Sequence, residues 1–431
     1  MRTLFHNARI LKMDGTPIFF GDLVVQGNRI IYVGDNPKSV AGQFDSVIEC
    51  DGNVIMPGFK NAHAHSAMTF LRSKSDDTSL HDWLFKIVFP HEAHLTPDDV
   101  YNMAKVAYLE CLTSGITACF EQYFYPLSSK KAAEDIGMRL VLLGVYNKDF
   151  FSEEALLNIY NKCNDNPDSL VKYCFGIHAE YTTSEEEIAM MKKVIYKTKS
   201  PFYVHISETE SEVNECINRH GVTPVKYFAD AGLFKYGGGG YHCCYFNEDD
   251  MKIWKKHHLS IVTCYGSNTK LASGIAPIDT YLKKGFNIAI GTDGPASNNC
   301  LDMFKEMALI SSIQKVMLKD PAAIPAEEIL KMATVNGAKA MGLNDADTLE
   351  VGKFADIIMI DLKRPNMQPI NNIIKNIVYS GSKDNIKLTM INGKILYNDG
   401  KFYVNEPIEE IYKKCQESTD RLDKETQLDV A

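Results

Sequence analysis

Short apolar segments alternate with amphipathic helical patterns eight times between residues 56 and 349 of this 431-residue chain. This spacing is typical of repeated βα units, in which a helix joins each strand to the next parallel strand. Eight units predict an α/β fold, a (β/α)8 TIM-like barrel, whose catalytic residues lie at the carboxyl ends of the strands. The predicted strands end at or near His63, Phe120, Leu143, His178, His205, His242, Val262 and Asp293.

Both ends of the chain have a different sequence pattern, in which short apolar runs are separated by turn signals. Asn392-Gly393 and Asp399-Gly400 each separate two such runs, which is typical of antiparallel hairpins. Because too few strands lie at either end to be stable alone, we expect one small β-sandwich built from both ends. The predicted domains are residues 1–55 with 350–405 for this sandwich, residues 56–349 for the catalytic barrel and residues 406–431 for a C-terminal surface helix.

The composition, with 45% hydrophobic and 23% charged residues, is typical of a folded globular protein. A formal net charge of −9 argues against nucleic acid or an anionic membrane as the main partner. No signal-peptide core or membrane-spanning apolar segment is present in the sequence. The 11 cysteines are odd in number and contain no Cys-x-x-Cys motif, which favours reduced thiols. We expect a cytoplasmic protein with a small-molecule partner; the sequence leaves open whether it forms a homo-oligomer.

Histidines are concentrated where predicted strands end. His63-Ala64-His65 puts two imidazoles on one side of an extended strand, as two ligands of one ion require. His205 ends a later strand and Asp293 ends the last one, and three imidazoles with one carboxylate suit one divalent ion, Zn²⁺ first and Fe²⁺ as the alternative. Each histidine could instead only satisfy local hydrogen bonds, but one ion accounts for all four residues. A two-ion site would usually need a bridging ligand from the middle of the barrel, such as a carbamylated lysine. The fourth predicted strand ends in His178 instead of a lysine, so a single ion is expected.

Glu208 follows His205 by three residues and is the candidate proton shuttle. A carboxylic acid beside such an ion can pass protons to a ring nitrogen if burial raises its pKa. His242 could hold or polarise the attacking hydroxide. Three further acids follow in a stretch that we interpret as solvent-exposed: Glu210, Glu212 and Glu215.

The run Met56–Arg72, MPGFKNAHAHSAMTFLR, resembles the amidohydrolase superfamily. Within that superfamily it is similar to the S-adenosylhomocysteine and methylthioadenosine deaminases and their triazine-hydrolase relatives. The matching runs continue in order over nearly the whole chain: Asp82-Trp83-Leu84, Gly137-Met138-Arg139, His205-Ile206-Ser207-Glu208-Thr209, His242-Cys243, residues 270–277 and residues 291–299.

The resemblance implies roles for the strand-end residues. It implies that one ion is held by His63, His65, His205 and Asp293. In the implied reaction, Asp293 takes a proton from the attacking water and Glu208 protonates the ring nitrogen beside the amine-bearing carbon. His242 touches the hydroxide or the departing group, and ammonia leaves.

The resemblance also implies four substrate contacts. Trp83 would lie over the substrate, and Glu92 would accept the ribose hydroxyls. His178 would face the purine edge. Arg139 would meet the amino-acid tail of a substrate that carries one.

Three features depart from the family pattern. A second arginine for that tail is absent from the segment Leu142–Tyr146, which favours a short or neutral 5'-substituent. Glu180 adds an acid near the expected pocket. Thr263-Cys264-Tyr265 replaces the usual His-Asn-Pro on the active face.

The leading hypothesis is a metal-dependent aminohydrolase that deaminates an adenosine-like nucleoside of the adenosine, methylthioadenosine, deoxyadenosine or S-adenosylhomocysteine class. An alternative is a deaminase or hydrolase of another aminated heterocycle, such as guanine, cytosine, a pterin or a triazine. A non-catalytic barrel scaffold is a third hypothesis, which the presence of the complete ligand set disfavours.

Overall fold

A computed structural model describes residues 1–36, 42–74, 76–145 and 152–426. The strands, in chain order, are β1 (Arg2–Ile10), β2 (Phe19–Gln26), β3 (Arg29–Gly34), β4 (Ser46–Glu49), β5 (Val54–Pro57), β6 (Phe59–Ala64), β7 (Ile116–Glu121), β8 (Arg139–Val145), β9 (Val171–Gly176), β10 (Phe202–Ile206), β11 (Gly238–His242), β12 (Ser260–Thr263), β13 (Asn287–Ile290), β14 (Ile357–Ile360), β15 (Ile386–Ile391), β16 (Lys394–Asn398) and β17 (Lys401–Phe402).

The helices lie mainly between the strands of the central region. In chain order they are α1 (Leu80–Asp82), α2 (Phe89–Glu92), α3 (Pro97–Thr113), α4 (Pro126–Ile136), α5 (Glu153–Asn164), α6 (Glu185–Thr198), α7 (Glu210–His220), α8 (Pro224–Ala231), α9 (Glu248–Lys256), α10 (Tyr265–Lys270), α11 (Ile278–Lys283), α12 (Met303–Leu318), α13 (Ala326–Ala333), α14 (Val335–Ala340), α15 (Ile373–Lys375) and α16 (Ile408–Thr426). Tighter or wider helical turns cover Ser66–Leu71, Trp83–Val88, Glu180–Thr182, Leu233–Tyr236, Pro365–Met367, Asn376–Ser380 and Lys383–Asn385.

Strands β6 to β13 form the predicted barrel. They are parallel and hydrogen-bonded in sequence order, so each strand neighbours the next along the chain. The first and last strands approach each other where the Asp293 amide donates to the carbonyl of His63 over 3.0 Å. The (β/α)8 prediction is therefore confirmed, and all carboxyl ends of the strands face the same side of the barrel.

The two ends of the chain meet in a second sheet of nine strands. Its order is β17-β16-β15-β14-β5-β1-β2-β3, and β4 pairs with the first half of β1, next to the pairing of β5 with the end of that strand. The ends join where β5 pairs antiparallel with β14. Along β14, Ile357 and Met359 pack into the core of this domain, whereas Ile358 and Ile360 pack into the core that includes the barrel helices. This alternation seats one face of the sheet against the barrel.

Two helix starts follow directly from side-chain capping. Thr96 accepts from the Asp99 amide and the Asp99 carboxylate accepts from the Thr96 amide, which is the capping box that begins α3. Ser184 and Glu187 begin α6 in the same way.

Helix α16 carries charges on one side and buries Ile411 and Leu422 on the other, where it packs against α3. Among the described residues, no helix is both long and apolar enough to cross a membrane.

Candidate active site

A cavity of about 470 Å³ opens at the carboxyl ends of the barrel strands. Residues from distant parts of the chain share its wall because the barrel brings all strand ends together. Of the residues singled out in the sequence, its lining includes His65, Trp83, Glu92, His178, His205, Glu208, His242 and Asp293.

Three of these side chains, those of His65, His205 and Asp293, converge with that of His63 beside the cavity. The Nε2 atom of His205 lies 3.0 Å from that of His63 and 3.3 Å from that of His65. The Oδ1 atom of Asp293 lies 3.5 Å from His63 Nε2 and 3.3 Å from His65 Nε2. Ligands that each lie about 2.0–2.2 Å from one ion must be within about 4.4 Å of each other, so these separations fit one shared cation.

Backbone contacts fix the direction of the histidine lone pairs. His65 Nδ1 donates to the carbonyl of Gln122 over 2.6 Å, and His205 Nδ1 donates to the carbonyl of His178 over 2.8 Å. In a neutral imidazole the other nitrogen then carries a lone pair. Two lone pairs that face each other at 3.3 Å need a cation between them, which is the arrangement of a metal site.

The protonation states also suit a divalent cation. Burial lowers the pKa of His63 to about 3 and lowers the pKa values of His65 and His205, so the three rings are neutral near pH 7. Burial alone would raise the pKa of Asp293, but the neighbouring histidines hold it well below its usual range. The hydroxyl groups of Ser267 and Ser297 donate to Asp293 Oδ2 over 2.6 and 2.9 Å and fix the carboxylate.

Glu208 and His242 lie side by side next to this cluster. His242 Nε2 is 3.6 Å from Glu208 Oε2, and its Nδ1 is 3.3 Å from Asn268 Oδ1. Burial raises the pKa of Glu208, whereas the charges of Glu208 and Asp293 overcome burial and raise the pKa of His242. The ring of His242 is also close enough to those of His63 and His205 to share an ion with them.

The cavity lining also includes Trp83, Glu92 and His178, the residues to which the family resemblance assigned nucleoside contacts. Trp83 begins a wide helical turn, Trp83–Val88, of a type that is frequent at functional sites. Glu92 ends α2 and accepts a hydrogen bond of 2.8 Å from the Tyr123 hydroxyl. Burial raises the pKa of Glu92 to about 7. His178 lies beside the ring of His205 and contacts Thr182 through Nδ1.

The expectation for Arg139 is wrong. Arg139 is the first residue of β8, so it lies at the amino end of the barrel, opposite the cavity. Its guanidinium is buried and forms a two-pronged ion pair with Asp356, with distances of 2.6 Å for Nε–Oδ2 and 3.0 Å for Nη2–Oδ1. This pair joins the barrel to the nine-stranded sheet and holds the guanidinium away from the cavity.

Two of the departures from the family pattern also lie outside the cavity wall. Glu180 points to the last turn of α7, where Arg219 forms an ion pair with it and His220 contacts it. Tyr265 is buried and donates to the carbonyl of Ala276 over 2.7 Å, so it supports the fold and does not line the cavity. The third departure is the missing second arginine in the segment Leu142–Tyr146. Tyr146 is outside the described residues, and Val145, just before it, lines the cavity.

The sequence interpretation missed residues that orient the cluster. Tyr123 and the backbone of Gln122 follow β7, and Ser267 and Ser297 hold Asp293. Gln122 and Tyr123 directly follow a barrel strand, which was a signal that the sequence offered. Glu212, interpreted as solvent-exposed, is buried and accepts from two backbone amides.

Comparison with known proteins agrees with this geometry. Residues 54–396 match the model of the amidohydrolase family, which is most of the chain. The chain belongs to this family.

Relatives and solved structures resemble this amidohydrolase over almost its whole length. A 5-methylthioadenosine/S-adenosylhomocysteine deaminase of Caldanaerobacter subterraneus subsp. tengcongensis is 35% identical over 430 residues, which cover 98% of this chain and 99% of the relative. A 5'-deoxyadenosine deaminase of Methanosarcina acetivorans is 35% identical over 429 residues, 97% of this chain and 98% of the relative. The structure of an adenosine deaminase from Xanthomonas campestris with bound zinc superposes with a TM-score of 0.91 at 26% identity, covering 98% of each chain.

Proposed function

We propose that this amidohydrolase hydrolyses the amino group of an adenosine-like nucleoside and releases ammonia. The observation that carries the proposal is the convergence of neutral imidazole lone pairs and the Asp293 carboxylate beside the buried acid Glu208. The names of the relatives, deaminases of methylthioadenosine, S-adenosylhomocysteine and 5'-deoxyadenosine, support the substrate class.

One Zn²⁺ is the proposed cofactor, held by His63, His65, His205 and Asp293. The donor set would accept Fe²⁺ as well, since both ions bind imidazole and carboxylate. Zinc in the structure of the Xanthomonas campestris relative favours the first choice. A divalent cation here would supply Lewis acidity, which makes water nucleophilic near neutral pH.

The chain's own groups would then move two protons. Asp293, kept ionised by its histidine neighbours, accepts a proton from the attacking water and passes it to the departing amine. Glu208, whose pKa is raised by burial, delivers a proton to the ring nitrogen beside the amine-bearing carbon. His242 Nε2, 3.6 Å from Glu208 Oε2, orients that acid and contacts the water or the departing amine.

We propose that Glu92 receives the ribose hydroxyls. Its carboxylate is held by the Tyr123 hydroxyl and faces the cavity, and an ionised carboxylate is a strong acceptor for paired hydroxyls. Trp83 covers the substrate, and His178 meets the purine edge.

The wall near α2 and the loop after β7 favours a neutral 5'-substituent. It is built largely from apolar side chains, those of Leu84, Val88, Phe89, Phe124, Pro126 and Val145. Among the described residues that line the cavity there is no lysine or arginine to pair with a carboxylate. Leaving a carboxylate unpaired in such a site is costly. We therefore propose 5'-deoxyadenosine or methylthioadenosine as better substrates than S-adenosylhomocysteine.

Steady-state ammonia release from a panel of substrates tests the proposal. The panel contains 5'-deoxyadenosine, methylthioadenosine, adenosine, S-adenosylhomocysteine, adenine, guanine, cytosine, a pterin and a triazine. We expect the nucleosides to react, with kcat/KM at least about tenfold higher for the neutral 5'-groups. Glu208→Gln should keep its metal and lose most activity. A preference for free bases, a pterin or a triazine would replace the proposal with the heterocycle alternative.

The eleven cysteines are all free thiols, nine of them buried, and this supports our proposal of a reducing, cytoplasmic location. Metal analysis of the purified protein would distinguish Zn²⁺ from Fe²⁺.

A further inference from the structure

Three buried glutamates near the barrel mouth have no part in the proposed reaction. Each accepts hydrogen bonds from backbone amides in the segment that follows a barrel strand. Glu121 accepts from the Ser66 amide, next to His65; Glu306 accepts from the Gly266 amide, next to Ser267. The third is Glu212, which accepts from the loop that carries Glu208.

Of these three glutamates, Glu212 is the one that binds the backbone of the proposed proton shuttle, Glu208. Its Oε1 accepts from the Ser207 amide over 2.8 Å, and its Oε2 accepts from the Glu208 amide over 2.7 Å. The side chain lies in the first turn of α7, whose start is capped by Thr209. Glu212 thus reaches back beyond its own helix cap to the peptide units on either side of the Ser207 α-carbon.

The same loop is held from a second side. The Ser207 carbonyl accepts from the amides of Cys244 and Tyr245, both over 3.0 Å. These residues follow His242, so the loops of Glu208 and His242 are tied together. Ser207, His242 and Cys243 have φ values of 51°, 69° and 51°, a left-handed conformation that residues other than glycine adopt only when their surroundings hold them.

We propose that Glu212 is a positioning residue that holds the loop after β10 so that the Glu208 carboxylate faces His242 and the substrate ring. This inference rests on the proposed function, because it assigns Glu212 a role through Glu208. Glu212 is not part of the cavity lining and is not near enough to the histidine cluster to appear among its candidate ligands. The hydrogen bonds that connect Glu212 with Glu208 therefore run through the backbone of the loop.

Both carboxylate oxygens are needed, since each faces an N–H donor. In Glu212→Gln one oxygen becomes an NH₂ group, which is also a donor, so one amide loses its acceptor while side-chain volume is kept. The exposed Glu210, in the same turn of α7, offers the matched control Glu210→Gln, which makes the same change of charge without touching the loop.

The experiment measures kcat, KM and bound metal for Glu212→Gln, Glu210→Gln and the wild type. We expect Glu212→Gln to lower kcat by about 10–100-fold with KM changed by less than about threefold and one ion still bound per chain, the pattern of a misplaced acid. Glu210→Gln should match the wild type. If Glu212→Gln does not fold, Glu212→Asp, which keeps a shorter carboxylate, should fold and show the same selective loss of kcat.

Two results would overturn the inference. One is a folded, metal-loaded Glu212 variant with wild-type kcat. The other is a loss of activity that only follows a loss of bound metal, which would give Glu212 a role in the ligand cluster. Glu208→Gln separates this failure from failure of the proposed function: if that variant keeps wild-type turnover, the proton-shuttle assignment itself is wrong.

Discussion

Replacing Arg139 by alanine should destabilise the protein and leave substrate selection unchanged. The substitution removes two hydrogen bonds, of 2.6 and 3.0 Å, from the buried Asp356 carboxylate. Asp356 then still accepts a hydrogen bond from the Asn392 amide but loses its directly bonded counter-charge, and only the nearby Lys60 remains. Breaking a buried ion pair by removing one partner costs about 3–5 kcal/mol, because the remaining charge is left without compensation.

The pH dependence of stability gives a second measure of the same pair. Burial opposes ionisation of Asp356, but Arg139 holds its pKa below the ordinary 3.8 in the folded state. The stabilisation is therefore present above pH 3.8 and is lost as pH falls through the lowered pKa. Arg139→Ala should remove this acid-sensitive contribution.

Thermal unfolding followed by circular dichroism, with the double variant Arg139→Ala/Asp356→Ala as control, measures the effect. The double variant should lose less stability than the sum of the single variants, because the stranded carboxylate is gone. KM for S-adenosylhomocysteine and 5'-deoxyadenosine should change in parallel. A selective rise of KM for S-adenosylhomocysteine with an unchanged unfolding midpoint would refute the structural role of Arg139.

Three further outcomes are expected. Because burial raises the pKa of Glu92 to about 7, kcat/KM for 5'-deoxyadenosine should fall as pH drops below about 7 and the carboxylate protonates. Glu92→Gln should lower kcat/KM and flatten the acidic limb of the pH profile. An unaltered profile would argue against ribose binding by Glu92. Chelation should abolish ammonia release, and added Zn²⁺ should restore it in the wild type but not in His65→Ala, as followed by metal analysis and activity. Ser267→Ala removes the 2.6 Å hydrogen bond to Asp293, which is worth about 1.5–3 kcal/mol for a charged acceptor. It should weaken metal affinity about 10–100-fold in a competition titration. Unchanged affinity would show that Ser297 alone suffices to fix the Asp293 carboxylate.

Much of the candidate metal cluster was predictable because a barrel makes strand ends neighbours. His63, His65, His205 and Asp293 are far apart in sequence, but each follows an apolar segment that reads as a strand. Once eight such segments are recognised, parallel pairing in sequence order brings their carboxyl ends to one mouth. The joining of the two chain ends followed similarly, since neither end had enough strands to stand alone.

The error at Arg139 came from giving a motif more weight than position. Arg139 precedes the apolar run of β8, so it begins the strand. Residues that begin barrel strands lie at the end of the barrel opposite the active site. The motif match was in the sequence, but so was the evidence against its assignment.

Other decisions belong to tertiary structure alone. Glu180 and Glu212 are both acids in polar stretches near the mouth, and nothing local distinguishes them from exposed acids. Both are buried, but Glu180 contacts the side chains of Arg219 and His220, whereas Glu212 accepts from two backbone amides. The alternation of apolar residues, a local property, determined where the strands run and end. The partner and burial of each charged side chain depended on contacts between elements distant in sequence, because solvent exclusion is a property of the packed whole.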